Sequence, residues 1–135
     1  MDIAKKYHII LCDDVRHEVG NKLSLMGVYG ADLCINRLPA MLPHLCIVVM
    51  LEGIVKTFHD IQARVLLPDS QPLFLTIPGP PRVFEGSNHT IVVAFAPAKI
   101  NSSGKGILEL YFFNEDVPQI HYEFAIKETM PVVLH

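Results

Sequence analysis

The chain has 135 residues, of which 50% are hydrophobic and 19% charged, with a formal net charge of −3. This composition excludes a disordered or collagen-like chain. The acidic balance argues against nucleic acid as a partner, since that would need a basic face. The length suits one domain, residues 1–135, with enough chain to bury a core without disulfide or metal staples.

The first element is the apolar run Tyr7 to Cys12. It is too short for the apolar core of a secretory leader and stops at Asp13-Asp14. Val19-Gly20-Asn21 then separates it from a second strand with Leu23 and Leu25 alternating against Lys22 and Ser24. Between and beside these two strands, Asp13, Asp14, Arg16, Glu18 and Lys22 place five charges within ten positions.

Pro39-Ala40-Met41-Leu42-Pro43 is expected to form at most one short helical turn. The run Leu45 to Leu51 is apolar on both faces, which predicts a central strand or one whose outer face is covered. It is far shorter than the ~20 residues of a membrane helix, so no membrane association is expected. Ile61, Ala63, Val65 and Leu67 alternate with Gln62 and Arg64, and Pro68-Asp69-Ser70-Gln71-Pro72 predicts a hairpin after them. Pro78-Gly79-Pro80-Pro81 opens a longer loop before the strand Ile91 to Phe95.

Asn101 to Gly106 is a flexible connection into the run Ile107 to Phe113, and Asn114-Glu115-Asp116 turns the chain into a last strand. There Ile120, Tyr122, Phe124 and Ile126 alternate with His121, Glu123 and Lys127. The apolar C-terminal segment Met130 to Leu134 is expected to pack as a last edge piece or to reach a partner. About eight or nine strands at short spacing, almost without helix, predict an all-β antiparallel two-sheet sandwich, Ig-like or jelly-roll-like, with a closed barrel as the alternative.

The stretch Cys12 to Tyr29 has a recognisable pattern. Cys12, Asp13, Asp14, Arg16 and Glu18 form C-D-D-x-R-x-E, and Lys22, Ser24, Leu25, Gly27, Val28 and Tyr29 form K-x-S-L-x-G-V-Y. In this it resembles a family of short bacterial proteins classed as a domain of unknown function. The resemblance implies a relative and no activity.

Asp13, Asp14 and Glu18 are hard oxygen donors that could hold a divalent ion, with His17 as a nitrogen donor. The favoured reading is a polar hairpin in which Arg16 and Lys22 pair with those carboxylates, because neither a calcium-loop spacing nor an H-E-x-x-H pattern is present. Gly27 inside a strand pattern marks a bulge or a close backbone contact.

No metal site, cofactor or catalytic set is assigned. The seven histidines show no ligand spacing, and G-x-S-x-G is absent. Cys12 lies beside two carboxylates that disfavour a thiolate. Carbohydrate binding would need aromatic platforms, and Tyr29, Tyr111, Tyr122 and Phe113 fall inside strand patterns where core roles come first.

Three cysteines, Cys12, Cys34 and Cys46, without C-x-x-C spacing fit a reducing cytoplasm. The expected function is a non-enzymatic binding or protein-interaction module, with a homodimer or another protein as partner. The alternative is a metal- or small-ligand-binding protein, or a small metal-dependent enzyme, centred on Asp13, Asp14, Arg16 and Glu18.

Overall fold

The computed structural model describes residues 2–20, 22–79 and 84–129. Asn21, Pro80, Pro81 and the C-terminal segment Met130 to Leu134 lie outside the described residues. Among the described residues eleven strands run in chain order: β1 (Ala4–Glu18), β2 (Lys22–Val28), β3 (Leu33–Ile35), β4 (Ala40–Leu42), β5 (Leu45–Ile54), β6 (Ile61–Leu66), β7 (Leu73–Ile77), β8 (His89–Phe95), β9 (Ala98–Ile100), β10 (Gly104–Tyr111) and β11 (Ile120–Glu128).

They form a four-stranded sheet in the order β2-β1-β5-β8, a five-stranded sheet in the order β3-β11-β10-β6-β7, and a two-stranded β4-β9 ribbon. The all-β expectation holds. No helix forms among the described residues, so none is long and apolar enough to cross a membrane.

Period-two alternation explains the packing. In β5, Leu45, Ile47, Val49 and Leu51 face the second sheet, where they meet Val65, Leu108, Leu110 and Phe124 in one core. Burying each such side chain contributes about 1.5–3 kcal/mol.

The other face of β5 has a separate covering. β1 pairs with β5 from Ala4 to Cys12, then with β2 from Cys12 to Glu18. Beyond Cys12 the β1–β2 hairpin crosses back over β5 towards the start of β8. Val15 and Leu25 of the hairpin pack with Cys12, Cys46 and Val48, and Met50 and Val92 join the same cluster. The tip residues His17, Glu18, Lys22 and Leu23 share a cleft with Asn88, His89, Thr90 and Val92. Val48 is therefore fully buried although it lies on the outer face. The apolar run at 45–51 is thus both central and covered, and its cover comes from the chain's own hairpin.

The segment 39–43, expected as a helical turn, contains the strand β4 paired antiparallel with β9. Pro39 and Pro43 bracket three residues that find backbone partners in a distant segment, so long-range pairing overrides the local turn signal. The predicted hairpins β1–β2, β6–β7 and β10–β11 all form with antiparallel pairing.

Candidate functional site

The charged cluster lies on paired strands. Asp13, Asp14, Arg16 and Glu18 belong to β1, and Lys22 opens β2 directly opposite Glu18. The carboxylates separate into three contacts. Asp13 Oδ1 accepts from the Tyr29 hydroxyl at 2.7 Å, Asp14 Oδ1 from the Val15 amide at 2.9 Å, and Glu18 Oε1 from the Ser24 hydroxyl at 3.2 Å. Among the described residues neither Arg16 nor Lys22 forms an ion pair. Nor does any group of three or more His, Cys, Asp or Glu side chains there converge to hold a metal ion.

Asp13 and Gly27 explain the local shape. Gly27 has φ +64°, and a Cβ there would run into the Asp13 carboxylate. Only glycine tolerates both that backbone and that neighbour. Cys12 and Val15 join the same cluster although an odd number of positions separates them, so the alternation of β1 breaks between them, opposite Gly27. Gly27, expected to mark a bulge or a close backbone contact, has the Asp13 side chain as its close neighbour.

Buried Cys12 and Cys46 are register partners beneath this bend. Their thiols donate towards the Asp14 and Asp13 carbonyls. Burial, and then Asp13 and Asp14, push the Cys12 thiol up; burial, and then Cys12, push Cys46 up to about 11. Neither is poised as a nucleophile.

The outer face of the five-stranded sheet carries a polar row. Glu109 of β10 lies in register between Arg64 of β6 and His121 of β11. Its carboxylate meets Arg64 Nη1 at 3.2 Å and His121 Nδ1 at 3.1 Å, and His121 Nε2 meets Glu123 at 3.1 Å. Placement of His121 on the wet face agrees with the alternation. Of the tyrosines and the phenylalanine considered as platforms, Tyr122 stacks on Phe124, Tyr29 binds Asp13, and Tyr111 and Phe113 line shallow surface clefts.

A roomier concavity lies elsewhere and takes its lining from both sheets. It has a volume of about 690 Å3. Leu45, Ile47 and Phe95 come from the four-stranded sheet, and Val65, Leu73 and Phe124 from the five-stranded one. Its rim is the β6–β7 turn and the segment from β9 to β10, with Asp69, Ser70, Gln71, Lys99 and Asn101.

Hydrogen bonds fasten the two parts of the rim. Asn101 Nδ2 donates to the Asp69 carbonyl and to Ser70 Oγ, both at 2.8 Å, and Ser102 Oγ donates to Asp69 Oδ2 at 2.7 Å. Asp69 has φ +54°, a left-handed conformation that aspartate accepts at turns. Gly104, at φ +145°, lets Pro68 approach to 3.0 Å of where a Cβ would stand. Sequence reasoning found this turn and missed the cavity. The Pro68-to-Pro72 turn and the Asn101-Ser102 pair were its visible signals.

Residues 8–127 match the family of unknown function DUF6941, and the chain belongs to that family. The match takes in both the hairpin and every element of the cavity. Comparison with curated proteins finds no match. Among solved structures, the crystal structure of a β-glucosidase from Listeria innocua in complex with glucose is similar over 93% of this chain, with 11% identity and a TM-score of 0.39. This chain covers 16% of that protein's length.

Proposed function

We propose that this DUF6941 protein is a non-enzymatic binding module of the cytoplasm whose ligand enters the cavity between the sheets. The cavity itself carries the reading. Its volume of about 690 Å3 falls within the range of small-molecule sites, and apolar walls with a few polar rim groups are the usual composition of such sites. The rim is fastened by its own hydrogen bonds, so the opening is preformed. The free cysteines favour the cytoplasm.

The test is thermal unfolding with decanol as probe. A ligand that binds only the folded state raises Tm in proportion to the logarithm of its concentration. The wild type is expected to show this rise, and Leu73→Trp, which narrows the mouth at a residue 40% exposed, is expected to lose it. No rise in the wild type contradicts the reading.

A second copy of the chain is the protein partner this reading carries. Among the described residues β7 pairs only with β6, and it shows Phe74 at 71% exposure. An edge strand of this kind can extend its sheet by pairing with its own symmetry mate.

A further inference from the structure

The outer face of the five-stranded sheet carries a groove. Two concavities there, of about 420 Å3 and 400 Å3, share Gln62, Tyr111, Phe113 and Asn114 and so run into one another. Neither shares a lining residue with the cavity between the sheets. We propose that this groove docks an arginine-bearing peptide segment of a partner protein, with guanidinium groups laid on its aromatic rings and held by the carboxylates of Glu115 and Asp116.

Strand register sets the rings on an open face. Arg64 of β6 lies between Phe74 of β7 and Glu109 of β10, and Gln62 lies between Thr76 and Tyr111. Register partners share a face, so Phe74 and Tyr111 flank Gln62 and Arg64 on the outside of the sheet. Phe74 is 71% exposed, and Tyr111 and Phe113 are half-buried, so all three keep surface towards solvent. One of these rings already meets a cation of the chain itself: Lys56 Nζ stands 4.3 Å from the centroid of Phe113.

The charges around the rings are mainly negative. Asp60, Glu115 and Asp116 line the groove against Arg64 alone among lysines and arginines. Arg64 is held by Glu109 at 3.2 Å. Glu115 and Asp116 are exposed on the β10–β11 turn and form no ion pair among the described residues. Open ring faces beside unengaged carboxylates attract a cation. The planar guanidinium suits this pairing better than an ammonium does, because it stacks on a ring and bonds a carboxylate through a fork of donors. The groove runs from Phe74 and Arg64 in one concavity to His59 and Asp60 in the other, which is more than one guanidinium fills. An extended segment occupies both.

Fluorescence anisotropy with a short labelled peptide of alternating glycine and arginine tests this. The comparison peptides replace arginine by citrulline, which keeps the shape without the charge, or by lysine. The arginine peptide is expected to bind the wild type, with citrulline about tenfold weaker and lysine about threefold weaker. Glu115→Lys combined with Asp116→Lys is expected to weaken the arginine peptide about tenfold. Asp2→Lys combined with Glu85→Lys makes the same change in net charge at exposed positions outside the groove, and is expected to leave binding within about twofold of the wild type. Tyr111→Leu removes a ring and keeps apolar bulk, and is expected to weaken binding about fivefold. The two loop charges are exposed, so their variant tests the groove even if Tyr111→Leu lowers Tm.

No binding of the arginine peptide overturns the proposal, and so does equal binding of the citrulline peptide. An equal loss in the Asp2 and Glu85 variant reduces the effect to general attraction and overturns it as well. A lysine peptide that binds as tightly as arginine overturns the guanidinium assignment.

Discussion

The Tyr29 hydroxyl donates to Asp13 Oδ1 at 2.7 Å and ties the end of β2 to the point where β1 bends. Gly27 lies under the same carboxylate with φ +64°. Three residues of the Cys12-to-Tyr29 motif therefore form one mechanical unit, which aims the hairpin over Cys46 and Val48. Burial, and then the bond to Asp13, hold the Tyr29 phenol above its ordinary value.

Gly27→Ala is expected to destabilise the protein by about 1–3 kcal/mol, through the left-handed backbone and the collision with Asp13. Tyr29→Phe is expected to cost about 1 kcal/mol. Denaturant unfolding of the single variants and of Gly27→Ala with Asp13→Ala checks the unit. Removing the carboxylate should lighten the glycine penalty, and strict additivity would contradict direct contact.

His121 gives a pH signature. Its bonds to Glu123 and then Glu109 raise its pKa above the usual 6.5, and His121 and Lys105 in turn lower that of Glu123. The raised histidine contributes stability that is complete below the unfolded value of about 6.5 and fades as pH rises through the folded value. The lowered glutamate contributes above its unfolded value and loses that contribution as pH falls through the folded one. NMR titration should show the His121 ring titrating above 6.5, and Glu109→Gln should bring it down. A His121 titration unmoved by Glu109→Gln would contradict the pairing.

The cysteines should divide by reactivity. Cys34 is exposed, whereas Cys12 and Cys46 are buried with raised pKa values. With a thiol reagent such as DTNB at mildly alkaline pH, Cys34 should react quickly in the native protein, and Cys12 and Cys46 only on unfolding. Fast reaction of either buried thiol would mean that the hairpin does not cover the sheet.

Association should depend on the β7 edge. Light scattering coupled to size exclusion is expected to show a dimer that Phe74→Lys weakens. A monomer at tens of micromolar would contradict the pairing proposal.

Most of the sheet framework was legible because alternation in 61–67 and 120–127 reports directly which face is buried, and the unbroken apolar run 45–51 marks a strand covered on both faces. The strands β3, β4 and β9 were not, since each is three residues long and owes its existence to a partner far along the chain. The hairpin charges were legible as a cluster. Their separation was not, because Asp13 meets a tyrosine sixteen positions away only through the β1–β2 register. The second apolar face of 45–51 called for a cover without naming it, and the structure covers much of it with Val15 and Leu25. The cavity was hidden for a similar reason: its lining comes from β5, β6, β7, β8, β9 and β11, which only the fold brings together.

The most direct test of the binding claim is a methyl-detected NMR titration with decanol. The account predicts saturable shifts confined to the methyls of Leu45, Ile47, Val65, Leu67 and Leu73, which lie around one cavity. Shifts centred on the β1–β2 hairpin, or none at saturating decanol, would contradict it.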